Sequence, residues 1–246
     1  MTVFITDKNE YGLYSALFYA FTHKIFPDNV ITFDEPTAFT DENVKINVNK
    51  ENAVRVKKAI LKYGAEQSVN AVKVCLLSCE ANALITAFDF CRKTLETRKN
   101  CIEDLSLRTT TDFLYTVKKV LHERHKFTGF LRFRESENGV LYAPYSPDND
   151  ITELITPHFV KRLNSPFIIH DVSRNVVSIS DGQTFKIVKT TLKAEFTESS
   201  QERECEELFR TYFKSVNIKE RKNIRQQNSF MPKKYRKYMT ENTEIF

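Results

Sequence analysis

The stretch ERKNIRQQNSFMPKKYRK, residues 220–237, is rich in lysine and arginine and holds a single acid. Nine bases and one acid, Glu220, lie between residues 214 and 238, whereas the net charge of the whole chain is only +5. Lysine and arginine bind phosphate oxygens, so this composition indicates a surface that binds nucleic acid. The bases expected to contact phosphates are Arg221, Lys222, Arg225, Lys233, Lys234 and Arg236.

Apolar residues are interleaved with these bases. Phe230, Met231 and Tyr235 would have no role in a solvated tail, and Pro232 is suited to the first position of a short helix. The pattern therefore predicts a folded terminal segment that is packed on the second half of the chain and turns its bases outward.

A second group of bases lies in FLRFRE, residues 130–135. If this stretch is a strand, Phe130, Arg132 and Arg134 share one face of the sheet. Two arginines beside an aromatic ring suit a phosphate backbone and a stacked base. The alternative is an ordinary exposed sheet face that carries scattered charge.

Helical spacing in ITELITPHFVKRL, residues 151–163, continues the apolar stripe of Ile151, Ile155 and Phe159 through His158 and Arg162. A buried histidine and arginine require polar partners. His158 either performs acid–base chemistry or contacts phosphate, or it is an interior histidine bonded to the backbone while Arg162 reaches outward.

Asp171 and Arg174 are three residues apart in the turn HDVSRN. Aspartate commonly accepts hydrogen bonds from the backbone of its own turn, and Arg174 can pair with it. The functional alternative requires that His158, His125 and Arg132 converge on the same place as this turn.

Catalytic signatures are missing from the sequence. G-x-S-x-G, H-E-x-x-H, G-x-x-x-x-G-K-[ST] and G-x-G-x-x-G do not occur. The five cysteines show no zinc-like spacing and no disulfide framework. We therefore expect reduced cysteines, no metal and no cofactor.

The elements that position these residues indicate an α+β fold. Helical periodicity prevails in the first half of the chain, after a short strand at 1–6, and it predicts helices at 10–26, at 50–63 with an end at Gly64, and near 66–78. In the second half, FTGFLRFRE and VLYAPY suggest an antiparallel hairpin closed by Asn138-Gly139, and a β-meander follows a helix at 150–163. We divide the chain into a helical region, 1–100, and an α+β region, 101–246, with the joint at 97–110.

The first residues, MTVFITDKNEYG, lack the features of a secretion signal. No apolar run approaches the roughly 18–20 residues that span a bilayer. A cytoplasmic protein without a membrane segment is expected.

Several dispersed motifs carry a resemblance to a known family. They include HERHKFTGFLRFRE, YAPYSPDNDI, PHFVKRL, IIHDVSRN and VNIKERKNIRQQNSFMPKKYRKYMTE. Together with YGLYSALFYAF near the start, they resemble a bacterial family described as "probable DNA metabolism protein". Its members typically lie beside a radical-SAM protein similar to spore photoproduct lyase, and a related domain is fused to some uracil-DNA glycosylase-like proteins.

The resemblance implies a role with nucleic acid for the residues that match the family pattern. It adds two polar residues, Asn223 and Gln226, to the basic stretch, and it covers Arg132, His158, Arg162, Asp171 and Arg174. It implies no particular reaction.

Three hypotheses follow. The first is a DNA repair or modification protein that binds DNA and acts with a radical-SAM enzyme. The second is an enzyme that itself acts on damaged DNA or nucleotides, with His158 and Asp171 as acid and base. The third is an adaptor whose basic surface binds an acidic protein.

Overall fold

The chain forms two compact units, Met1–His122 and Glu123–Phe246. The structure is a computed structural model that describes residues 1–38, 41–190, 197, 199–216 and 223–239. The boundary between the units falls within a long helix, α4 (Arg108–Phe130), whereas the sequence-based division is at residues 100/101.

Unit 1 combines helices with a small parallel sheet. The sheet has the strand order β2-β1-β3, with β1 (Thr2–Ile5), β2 (Asn29–Ile31) and β3 (Glu42–Lys45). The helices are α1 (Glu10–His23), α2 (Lys50–Leu76), α3 (Ala83–Thr97) and the first part of α4. The sequence predicted β1, but β2 and β3 are too short to stand out as periodic strands.

A kink divides α2 where the sequence predicted a helix end at Gly64. The next residue, Ala65, has φ 60°, which is outside the right-handed helical region. Gly64 itself packs closely, because a Cβ there would lie 2.9 Å from the Ser68 hydroxyl. The two helices predicted at 50–63 and 66–78 are thus one helix with a break at the expected place.

Unit 2 is built on a five-stranded mixed sheet in the order β4-β5-β6-β7-β8. The strands are β4 (Arg134–Glu135), β5 (Leu141–Tyr145), β6 (Phe167–Asp171), β7 (Val176–Ser180) and β8 (Phe185–Lys189). Helix α5 (Thr152–Leu163) packs on β6, β7 and β8. The predicted α+β class is confirmed, and so is the antiparallel meander of β6, β7 and β8.

The pairing of β5 with β6 is parallel, with Tyr142 opposite Ile168 and Pro144 opposite His170. Parallel neighbours require a crossover, and α5 supplies it. The second half is therefore a mixed sheet and not a purely antiparallel one.

The predicted hairpin is shorter than expected. Residues 127–130 belong to α4, and only Arg134 and Glu135 pair with β5. The helix continues because Phe127 is buried, with its ring 5.0 Å from that of Tyr145. The turn is at the predicted place, where Gly139 adopts a positive φ of 74°.

Beyond the sheet, the described chain continues in two helices and a 3-10 helix. These are α6 (Ser200–Ser215), α7 (Ile224–Phe230) and the 3-10 helix Lys233–Tyr238. Among the residues that the structure describes, no helix has both the length and the apolar character needed to cross a membrane.

Candidate nucleic-acid interface

The basic terminal segment is anchored on unit 2 by Tyr235. Its side chain is 8% exposed, and its ring lies 4.9 Å from that of Phe127 in an edge-on arrangement. Met239, one turn further, is also buried. The predicted folded segment is thus observed, although Phe230, expected as an anchor, is 70% exposed.

A buried carboxylate on α4 links this segment to the loop after β5. Glu123 accepts hydrogen bonds from the Tyr235 hydroxyl at 2.9 Å and from the backbone N–H groups of Asp148 and Asn149 at 2.8 Å each. The Asn149 amide donates a further bond to the same carboxylate. With four donors, the buried charge is well compensated.

Three lysines surround the aromatic rings of the segment, and we call them the basic cluster: Lys126, Lys234 and Lys237. The Nζ atoms of Lys126 and Lys234 lie 5.9 Å and 4.9 Å from the centroid of the Tyr235 ring. Lys237 Nζ lies 5.2 Å from the centroid of the Tyr238 ring, which follows Tyr235 by one 3-10 turn. Lys234 also pairs with Asp148, whereas neither Lys126 nor Lys237 has a carboxylate partner in the described part of the chain.

One base of the segment is structural. Arg236 is 6% exposed, and its guanidinium donates to the Met231 carbonyl at 2.7 Å and to the Asn228 side chain at 2.8 Å. The expectation that Arg236 faces outward is therefore wrong, because the 3-10 helix turns residues 235 and 236 inward together.

The remaining predicted residues of the segment differ in their roles. Asn223 caps α7 by accepting a hydrogen bond from the N–H of Gln226 at 3.0 Å. Arg225, Gln226 and Lys233 are exposed. Arg221 and Lys222 lie outside the described residues.

Arg132 and Arg134 do not share a strand face with Phe130, because Phe130 is helical. Arg132 follows α4 and donates from Nη1 to the Gly129 carbonyl at 2.7 Å, which caps the end of the helix. The Nε of Arg134, on β4, lies 3.1 Å from Glu206 on α6.

A cleft of about 590 Å³ opens in unit 2 beside the end of α4, and we call it the α5–α6 cleft. Its wall on α5 includes Phe159 and Arg162, and its wall on α6 includes Glu202, Glu206 and Phe209. Arg132 and Phe133 also line it. Two predicted residues, Arg132 and Arg162, are thus brought together.

His158 and Arg162 do not lie on the buried stripe of α5. The fully buried positions are Thr152, Ile155, Thr156 and Phe159, which place His158 at the side of the helix and Arg162 in solvent. The His158 ring contacts the Phe159 ring edge-on, with the two ring centroids 5.0 Å apart. The His158 side chain has no polar partner among the described residues.

Asp171 has the environment of a structural carboxylate. It is fully buried, it accepts from the N–H of Ser173 at 3.0 Å, and it pairs with Arg174 Nη1 at 2.9 Å. Burial raises the pKa of Asp171, and the hydrogen bond from Arg174 opposes that shift. Arg174 also donates to the Pro147 carbonyl at 3.1 Å, so its guanidinium fixes the loop after β5. No described contact joins Asp171 to His158.

A polar pair that the sequence did not suggest lies on the sheet face opposite α5. The Tyr142 hydroxyl is 2.8 Å from His170 Nδ1, and His170 Nε2 is buried without a hydrogen-bond partner in the described structure. Burial lowers the pKa of His170, partly offset by the negative charge of Asp171. The lowered pKa favours the neutral form of this histidine in the native protein.

The neutral state of His170 predicts a loss of stability in mild acid. An unfolded histidine titrates near pH 6.5, whereas the pKa of His170 is lower in the folded state. As the pH falls below about 6.5, the unfolded chain takes up the proton first, so the free energy of unfolding decreases. Urea denaturation between pH 7.5 and 5.5 should show a smaller decrease for His170→Gln than for wild type. If the free energy of unfolding changes equally with pH in the two proteins, His170 does not contribute to the pH dependence.

The sequence contained a usable signal for Glu123. Phe113, Val117, Val120 and Phe127 form the buried stripe of α4, and Glu123 falls on it at helical spacing. A carboxylate on such a stripe requires several donors, which indicates a buried polar centre. No such signal identifies His170, because its contact with Tyr142 depends on the parallel pairing of β5 and β6.

Residues 81–241 match a family described as a domain of unknown function, DUF4130. No curated protein matches the chain. The family match extends through all of the described elements of unit 2 and covers more than half of the sequence. The chain therefore belongs to the DUF4130 family.

Proposed function

We propose that unit 2 binds nucleic acid through the basic cluster and the exposed bases beside it. The observation that carries this proposal is the placement of Lys126, Lys234 and Lys237 around two tyrosine rings of an anchored segment. A disordered basic tail would hold its charges at no fixed place, whereas Tyr235 fixes these on the folded protein.

The surroundings of the cluster suit a phosphate backbone. Lysine ammonium groups contact phosphates without reading bases, and their counterion release supplies most of the affinity for non-specific sites. Exposed Arg225 and Lys233 extend the positive charge along the same segment. Binding with little sequence preference and steep salt dependence is the expected behaviour.

Removing the charge of the basic cluster should weaken DNA binding without unfolding the protein. The triple variant Lys126→Gln/Lys234→Gln/Lys237→Gln loses three phosphate contacts, which at about 50–150 mM salt corresponds to a loss of affinity of roughly tenfold or more. Fluorescence anisotropy with a labelled duplex and a labelled single strand measures it. Lys234 and Lys237 are exposed and Lys126 is half-buried, and surface charges of this kind contribute little to stability, so the melting temperature should change by only a few degrees.

A matched control separates local contacts from total charge. Lys58, Lys73 and Lys99 are exposed lysines of unit 1. Replacing these three by glutamine changes the net charge equally, but DNA binding should remain close to that of wild type. If both triple variants lose affinity to the same extent, the basic cluster is not the binding surface.

We further propose that this activity belongs to DNA repair or modification carried out with a radical-SAM enzyme. The support is the resemblance of the sequence motifs to the DNA-metabolism family. An exposed apolar strip on α6 favours a protein partner, since Leu208 and Tyr212, one turn apart, are 69% and 61% exposed.

Co-purification tests the partnership. A radical-SAM protein similar to spore photoproduct lyase, of the kind that members of the resembled family typically lie beside, should be retained by the tagged protein, with and without added DNA. The variant Leu208→Ser/Tyr212→Ser should retain less of it while binding DNA normally. Equal retention by the variant would exclude the α6 strip as the contact.

A further inference from the structure

We infer that the α5–α6 cleft holds one nucleotide of a bound strand, with its base against phenylalanine rings and its phosphate on Arg162. The inference rests on the proposed nucleic-acid function and adds that the bound strand is recognised through a single nucleotide. It concerns a site separate from the basic cluster, and it is tested separately.

The apolar side of the cleft suits a base. Phe133 is held edge-on by Phe159 and Phe167, with ring centroids 5.0 Å and 5.7 Å away. Phe209, on the α6 wall, is 41% exposed. A ring fixed in this way offers a stacking surface to any base, because every base has a π face.

The basic side of the cleft suits a phosphate. Arg162 is exposed in the last turn of α5 and has no hydrogen-bond or ion-pair partner among the described residues. Arg132, beside it in the lining, is oriented by its bonds to the carbonyls of Gly129 and Leu131. A guanidinium presents a planar set of donors that matches phosphate oxygens.

The two carboxylates of the α6 wall are engaged by other groups of the protein, and Glu206 is compensated by two arginines. Glu206 lies 3.1 Å from Arg134 Nε and 3.2 Å from Arg210 Nη2, so it is neutralised within the protein. Glu202 accepts a hydrogen bond from the N–H of Glu135 at 3.1 Å. These contacts also fix α6 beside β4 and so define the wall of the cleft.

The size of the cleft selects the ligand. Its volume of about 590 Å³ is within the range of about 300–1,000 Å³ typical of small-molecule sites. One nucleotide fits this space, whereas a stacked base pair of a duplex does not present its face to the phenylalanines. The site therefore takes a single-stranded or flipped-out nucleotide.

The cleft adjoins the basic cluster through one residue. Leu131 lines the cleft and also a small recess that Tyr235 and Lys234 line with it. A strand whose backbone follows the lysines can therefore place a nucleotide in the cleft without leaving the surface of unit 2.

Calorimetric titration of the full chain with deoxyguanosine monophosphate, deoxyguanosine and inorganic phosphate tests the site. The nucleotide should bind more tightly than either part, because each part uses only one side of the cleft. Arg162→Gln should reduce nucleotide affinity about tenfold or more, as expected for a hydrogen bond to a charged group. Phe209→Ala should reduce it about tenfold through lost stacking. Lys161→Gln, at an exposed position one residue before Arg162, is the matched control and should bind like wild type.

Three results would overturn the inference: no binding of the nucleotide, phosphate binding as tight as the nucleotide, or equal affinities of Arg162→Gln and Lys161→Gln. Its failure is distinguishable from that of the proposed function. If the protein binds duplex DNA but not the mononucleotide, only the inference about the cleft fails. If it binds the mononucleotide but not duplex DNA, only the proposal for the basic cluster fails.

Discussion

Replacing Tyr235 by alanine should destabilise unit 2 by about 3–5 kcal/mol, as for other large buried aromatic residues. The change removes a ring packed against Phe127 at 4.9 Å and a hydroxyl that donates to Glu123. Glu123 then loses one of its compensating donors in a buried position. Chemical denaturation followed by circular dichroism measures the loss.

Two controls divide this effect into its parts. Tyr235→Phe keeps the ring and removes the hydrogen bond to a charged acceptor, so it should cost about 1.5–3 kcal/mol. Phe230→Ala, in the same segment but 70% exposed, should change stability by no more than about 0.5 kcal/mol. If Tyr235→Ala is as mild as Phe230→Ala, the segment is not anchored on unit 2.

Arg174→Ala should also destabilise the protein strongly, by about 3–5 kcal/mol at neutral pH, because it leaves the fully buried Asp171 carboxylate without its cation. It also removes the donor to the Pro147 carbonyl. Thermal and urea unfolding at several pH values measure the effect.

The pH dependence of this variant has a definite sign. Burial already raises the pKa of Asp171, and the loss of Arg174 raises it further. The folded variant then binds a proton at a higher pH than the unfolded chain, so its stability increases relative to wild type as the pH is lowered. The double variant Asp171→Asn/Arg174→Ala carries no buried charge at this turn and should lack this dependence. If the difference in the free energy of unfolding between Arg174→Ala and wild type does not change with pH, the structural role of the Asp171–Arg174 pair is contradicted.

Local patterns predicted much of the fold. Helical spacing and Gly64 located α1, the break in α2, and α5, and the Asn138-Gly139 dipeptide located the hairpin turn. The parallel pairing of β5 with β6 was not predictable, because it depends on where α5 returns the chain and not on any local residue preference. The first four residues of the strand-like stretch that begins at Phe127 are helical because tertiary burial of that ring outweighs its β propensity.

The candidate interface was predictable only in part. The apolar residues in the basic segment correctly indicated a packed anchor at Tyr235, yet composition did not distinguish exposed Lys237 from buried Arg236. That distinction depends on the 3-10 helix, which packs one side of the segment on unit 2. The α5–α6 cleft joins residues more than 40 positions apart, such as Arg162 and Phe209, so no local motif revealed it.

The central claim is that unit 2 binds nucleic acid through fixed surface cations, and the salt dependence of DNA binding tests it most directly. Five cations lie on the segment and on α4 where phosphate can reach them: Lys126, Arg225, Lys233, Lys237, and Lys234, which would exchange Asp148 for a phosphate. Five contacts predict that log K falls with log salt with a slope of roughly −4 to −5 on duplex DNA, and the basic-cluster triple variant should show a slope of roughly −2. A wild-type affinity that is unchanged between low and moderate salt, or equal slopes for the two proteins, would contradict the account.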